Sequence, residues 1–242
     1  MTGRRGTAHH DGVYRELPPP EALRDLVRCL WSGTGSTRTI VPDGCLDLIV
    51  GDGRVFVAGP DTAPWRSEIA PGRPIHGIRF RPGNAARVLG VAADELRDRR
   101  VRLTDLWGRA GRTATDRLLT DPSALAGIVA GHVRSGPDPA VDRLVGRLRG
   151  GASRVGEAMA DLDAGDLGVG ERQLRRRFTV AVGYGPATYL RIARLERAIG
   201  GAAAASGLAE LAHGAGYADQ AHLSRDFREL TGATPREFLG WR

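Results

Sequence analysis

The sequence predicts an α+β chain. Its N-terminal half reads as a small antiparallel β-barrel or sheet with helices, and its C-terminal part as an all-α domain with two helix-turn-helix motifs joined by a linker helix. Three observations predict this. Short apolar runs broken by Gly and Pro fill the region from Arg38 to Phe80, the pattern of short strands and tight turns. Pro137-Asp138-Pro139 then reads as a linker. Beyond it, one pattern is written twice at an offset of 49 residues. Leu174, Arg176, Phe178, Gly183, Pro186, Tyr189 and Leu190 match Leu223, Arg225, Phe227, Gly232, Pro235, Phe238 and Leu239, six identical and one aromatic for aromatic. The expected units are a flexible tail over 1–12, a barrel-like domain over 13–136 and a helical domain over 137–242.

The N-terminus, MTGRRGTAHHDG, has no apolar signal core, and His9-His10 reads as part of a solvated tail rather than a metal site. The runs RTIV, CLDLIV, RVFVA and IHGIRF supply strands, with Gly51-Asp52-Gly53 a hairpin turn between two of them. Pro82 to Gly90 starts helically with Pro at its head, and shorter helical pieces follow between Ala92 and Arg134.

Ala140 to Leu148 reads as the first helix of the C-terminal domain. Arg154 to Gly170 is interrupted by Asp163, Gly165 and Asp166. Gly in a helix interior costs about 1 kcal/mol relative to Ala, so a loop near 163–166 is expected instead of one helix to Leu167. In each copy of the repeat, Leu and a Phe four residues on share one helix face, and the Gly and Pro beyond them mark a stop and a new start. Leu174, Phe178 and Ala181 form the buried face of the first recognition helix, about 171–181. Arg172, Arg175, Arg176 and Thr179 point away. Pro186 opens a linker helix expected to run to about Ile199 and to end at Gly200-Gly201. Such a rod, about 20 Å long, suits two recognition helices one DNA turn, about 34 Å, apart.

Leu208 to Ala212 opens the next short helix, Gly214 to Ala218 turns the chain, and Asp219 stands where an acid caps a helix. Leu223, Phe227 and Leu230 are core positions of the second recognition helix, about 219–230. Gln220, Ala221, Ser224, Arg225 and Arg228 lie on the opposite side. Arg can bond guanine O6 and N7 in bidentate fashion, Gln can do so to adenine, and Ala221 could offer only a methyl contact, for example to thymine.

Composition limits the choice of function. The formal charge is +7, and all 35 basic residues are Arg. Residues 137–242 hold 15 Arg against 13 acids, and residues 1–136 hold 20 against 15, so the case for DNA rests on where Arg lies rather than on bulk charge. No run of 18 apolar residues predicts a membrane span. Cys29 and Cys45, 16 residues apart, read as free thiols in a reducing cytoplasm. The sequence offers no nucleophile elbow, phosphate loop or His-x-His cluster. It therefore predicts no catalytic residue, no cofactor and no metal, and the chain is not read as an enzyme.

The run GYADQAHLSRDFRELTGATPREFL, Gly216 to Leu239, resembles the C-terminal signature of the AraC/XylS family of transcriptional regulators. ERQLRRRF, Glu171 to Phe178, resembles the recognition helix of that family's first helix-turn-helix. Where the family has a compact Ala-rich helix upstream of it, this chain has the interrupted stretch Arg154 to Gly170. The resemblance implies a bacterial-type cytoplasmic regulator that binds double-stranded promoter DNA, each recognition helix entering one of two adjacent major grooves. It places Arg172, Arg175, Arg176, Gln220, Ala221, Ser224 and Arg225 at the bases.

VPDGCLDLIV with GIRFRPG is similar to the N-terminal domain of one branch of these regulators, a barrel of unassigned ligand. That similarity implies a small-molecule effector or a homodimer contact, with Trp31, Cys45, Asp47, Trp65, His76 and Arg79 as candidate lining residues. RNA polymerase is a further partner that the family brings into view. Two alternatives stay open at this point: an enzyme localised by its C-terminal domain, and an architectural protein without sequence preference.

Overall fold

The computed structural model describes residues 14–37, 39–67, 69–160 and 170–241. The expected tail over 1–12 and the expected interruption at 163–166 lie outside the described residues.

The N-terminal half is built on β1 (Arg15–Leu17), β2 (Val27–Thr34), β3 (Thr39–Ile40), β4 (Asp47–Gly51), β5 (Arg54–Ala58), β6 (Trp65–Arg66), β7 (Pro74–Phe80) and β8 (Arg100–Arg102). Six of these form an antiparallel sheet in the order β1-β2-β7-β4-β5-β8, and β3 pairs with β6 in a separate ribbon. The sheet is open, with β1 and β8 at its edges. The expected Gly51–Gly53 turn joins β4 to β5. Asp52 and Gly53 take φ of 53° and 69°, the two positive values that a tight hairpin of the right twist needs.

Alternation along the strands gives the sheet two faces. Leu48, Val50, Val55, Val57, Ile78 and Phe80 pack into one core with α1 (Ala86–Leu89), α2 (Leu103–Thr120, broken at Gly108) and α3 (Leu125–Gly131). Each such side chain stabilises the fold by roughly 1.5–3 kcal/mol. The other face carries Cys29, Trp31, Ile49, Phe56 and Ala58, joined by Ile69 in a smaller cluster. Gly77 in β7 is a packing requirement, because a Cβ there would stand 2.3 Å from the Trp31 indole.

The C-terminal half consists of α4 (Pro139–Arg149), α5 (Val155–Ala160), α6 (Glu171–Val182), α7 (Pro186–Gly201), α8 (Leu208–Ala215), α9 (Gln220–Thr231) and α10 (Pro235–Leu239). Asp138 caps α4 by accepting from the backbone N–H of Ala140 and Val141, with Pro139 in the first turn. One core of buried side chains, including Leu144, Leu174, Phe178, Tyr189, Leu195, Leu211, Leu223 and Phe227, runs through all of these helices but α10, whose Phe238 and Leu239 pack against it. The linker helix α7 departs from expectation at its end. It continues through Gly200 and Gly201, and neither adopts the left-handed conformation that would stop it.

The two halves are joined by polar and close apolar contacts. Glu196 of α7 receives Arg28 from β2 and Arg149 from α4, each at 3.2 Å. Asn84 donates to Asp142 at 2.9 Å. Gly183, at the end of α6, lies so close to Pro60 that a Cβ there would stand 2.3 Å from the proline ring.

Candidate functional site

The repeated pattern is a repeated piece of geometry. Helices α6 and α9 each stop at a left-handed Gly, Gly183 with φ 103° and Gly232 with φ 76°, a conformation that disfavours any side chain. Pro186 and Pro235 then open α7 and α10. In the first unit the Phe178 ring meets Tyr189 edge-on, with centroids 5.6 Å apart and planes at 75°. In the second, Phe227 meets Phe238 at 5.9 Å and 73°. The Phe fixes each recognition helix onto the helix that follows it.

With those faces buried, the opposite faces are presented outward. Arg172, Arg176, Gln220, Ala221, Arg225 and Arg228 are exposed, while Arg175, Thr179 and Ser224 are partly exposed. Among the described residues, Arg172, Arg176, Arg225 and Arg228 have no ion-pair partner. Arg175 is less available, since Glu171 holds it at 2.7 Å. Thr179 donates its hydroxyl to the carbonyl of Arg175 at 3.0 Å. Arg177, next in sequence, is turned to Asp138 at 2.6 Å and anchors the domain instead of facing outward. Asp219 caps α9 by accepting from the His222 N–H at 2.7 Å, as its sequence position suggests.

A cavity of about 240 Å³ lies over the face of the sheet turned away from the helices. Of the candidate lining residues, Trp31, Cys45, Asp47, Trp65 and Arg79 stand in its wall. His76 does not, because it alternates with Ile75 and Gly77 and shares the strand face of Ile78 and Phe80. Arg79 sits directly across the β4–β7 pair from Asp47. Its Nε and Nη2 donate to the two carboxylate oxygens at 3.0 and 2.8 Å, and Nη1 reaches Asp43 at 3.1 Å. Burial works against the charge on Arg79, but Asp43 and Asp47 outweigh it and hold the guanidinium well above its ordinary value. Arg100 clasps Asp61 at 2.6 and 2.8 Å while stacked 3.7 Å over the Trp65 ring.

Sequence reasoning missed Tyr14, Glu16, Asp43, Asp61 and Phe238 as wall residues. Phe238 was legible only as the aromatic of the second repeat, and its ring closes the cavity from the C-terminal half. Among the described residues, no group of three His, Cys, Asp or Glu is placed to hold a metal ion, and no helix is long and apolar enough to cross a membrane.

Residues 164–240 match a family model described as a helix-turn-helix domain, and residues 15–102 match one described as a domain of unknown function. No curated protein matches the sequence. Among solved structures, ToxT from Vibrio cholerae is similar, with 9% identity and a TM-score of 0.49 over 94% of this chain and 98% of that one. A structure of ToxT bound to an unsaturated fatty acid gives 10% identity and a TM-score of 0.45 over 87% and 93%. The helix-turn-helix match falls on the tandem motifs, so this part of the chain is a helix-turn-helix domain.

Proposed function

We propose that α6 and α9 read successive major grooves of one promoter duplex. The observation that carries this reading is the pair of outward faces, rich in Arg and Gln, on two helices with the same buried face and the same left-handed Gly stop. Arg172, Arg176, Gln220 and Arg225 are the base-reading residues, and Ala221 supplies a methyl contact. Ser224 and Arg228 border the second helix's footprint. Arg175 joins the first once DNA draws it from Glu171, and Thr179 supports it from the following turn. Both motifs are in one chain, so a single copy covers an operator.

The cavity over the sheet is the effector site of this reading. Phe238 stands in its wall and touches Phe227 of α9, so a bound molecule is two contacts from the second recognition helix. The roles divide at Pro137, with sensing over 13–136 and DNA binding over 137–242. The chain acts in the cytoplasm and performs no chemistry of its own.

Selection of bound fragments from the source genome, followed by footprinting, tests the DNA reading. Protection of two successive major grooves on one face of the duplex is expected. A single protected groove would remove α6 from the interface, and equal affinity for random DNA would favour an architectural protein.

A further inference from the structure

The cavity wall is unusually acidic for a site lined by aromatic rings. Glu16, Asp43, Asp47 and Asp61 face it, against two guanidiniums that belong to the same cluster, Arg79 and Arg100. Both guanidiniums are paired to carboxylates. Arg79 spends its donors on Asp43 and Asp47, and Arg100 spends two of its nitrogens on Asp61 and its face on Trp65, its Nε alone lying buried without a partner. Arg28, behind Cys45, shares Glu196 with Arg149. Among the described residues of this cluster, five carboxylates with Glu196 counted face the four guanidiniums of Arg28, Arg79, Arg100 and Arg149, so one carboxylate is in excess.

A second observation points to a ligand. Trp31 is 7% exposed, and its indole N–H is directed toward Asp47 without completing a hydrogen bond. The Trp65 indole N–H, in the same wall, is likewise buried without a partner. Buried donors left unpaired cost free energy, which a ligand oxygen would recover. The volume, about 240 Å³, is below the usual range for drug-sized ligands, about 300–1,000 Å³.

We propose that this cavity binds a small aromatic organic cation that also carries a hydrogen-bond-accepting oxygen, of the amino-alcohol class, and that it rejects carboxylates. The inference rests on the reading of the cavity as an effector site and assigns that site its ligand chemistry. The ring lies among Trp31, Phe56 and the aliphatic side chains of the wall. The ammonium meets the surplus carboxylate, Glu16, which accepts only from the Tyr14 hydroxyl and is in no ion pair among the described residues. The oxygen accepts from an indole N–H. A carboxylate in the same place would face like charges where the guanidiniums of the wall cluster are already paired to carboxylates.

Three probes on one skeleton test this with the full chain: 2-amino-1-phenylethanol, 1-phenyl-1,2-ethanediol and mandelate. Binding is read by intrinsic tryptophan fluorescence and by the shift in melting temperature. The amine should bind at least tenfold more tightly than mandelate. In Glu16→Gln, at an exposed edge strand, that ratio should fall at least threefold with the diol unchanged. Mandelate binding as tightly as the amine, or a ratio that Glu16→Gln leaves intact, would overturn the ligand class while leaving the effector reading in place. Absence of any response to all three probes would overturn both.

Discussion

Arg191 of the linker helix α7 holds the buried carboxylate of Asp226, in the second recognition helix α9, at 2.8 Å. The same guanidinium reaches Glu229 one turn further along α9. This clasp sets the rotation of α9 about its own axis, and with it which side chains face outward. Breaking a buried ion pair by removing one partner costs roughly 3–5 kcal/mol, but Arg191 is 37% exposed and solvent screens part of that. We expect Asp226→Ala to cost about 2 kcal/mol in urea unfolding. Asp226→Ala and Arg191→Ala combined should cost less than their sum.

The paired ring contacts make a matched prediction. Phe178→Ala and Phe227→Ala should each lower stability by roughly 3–5 kcal/mol, because each ring is fully buried and truncation leaves a cavity. Equal melting temperatures for a variant and the parent would show that the ring does not seat its helix.

Base reading and phosphate anchoring separate by sequence dependence. Arg225→Ala and Arg176→Ala should each cost about 1–3 kcal/mol on the selected operator and relax choice at one base position. Competition binding with operator and random DNA is the check. An equal loss on both DNAs would make that residue a phosphate contact.

The thiols give a pH prediction. Burial pushes the Cys29 thiol from 9.0 up to about 12, with Arg79 opposing, and burial raises Cys45 as well. A folded value above the unfolded one means that stability is complete below pH 9 and is lost as pH climbs from about 9 through about 12. Chemical unfolding at stepped alkaline pH should show this slope, and Cys29→Ser should flatten it. At pH 8, both thiols should react with a disulfide reagent only after denaturant is added.

Gly77→Ala tests the cavity's back wall. A methyl group would collide with the Trp31 indole, and overpacking of this kind costs roughly 1–3 kcal/mol. The variant should show a shifted tryptophan emission maximum and weaker binding of any cavity ligand, with operator affinity in the absence of ligand little changed.

The C-terminal half was legible because its repeat encodes local rules twice. A Leu and Phe on one face, a left-handed Gly and a helix-opening Pro each follow from nearby residues, so periodicity alone located α6 and α9 within a residue or two. The hairpin at Asp52-Gly53 was legible for the same reason. The longest strand, β2, was not foreseen, although Val27, Cys29 and Trp31 all turn inward from it. A bulge between Val27 and Cys29 breaks the plain alternation, and Gly33 thins its far end.

The cavity was half legible. Asp47, Arg79, Trp31, Trp65 and Cys45 stood out as polar or aromatic residues within strand-like runs. Asp43 and Asp61 lie in irregular segments between strands, and Glu16 lies on a three-residue edge strand; only tertiary pairing brings them together. His76 shows the opposite limit. It carries a chemically suggestive side chain, but the parity of its strand turns it to the other face.

The linker helix and its shared core have a consequence for the DNA. Helix α7 is one unbroken 16-residue rod, about 24 Å long, and both recognition helices pack onto the same core that it crosses. The separation and relative rotation of α6 and α9 are therefore properties of a solid body rather than of a tether. Such a body works as a calliper. On the proposed reading of two grooves, one base pair added between the two half-sites would move them apart by about 3.4 Å and turn them by roughly 35°, against the continuous helix α7 that joins the two motifs. The chain should therefore tolerate a changed base in either half-site far better than a changed distance between them.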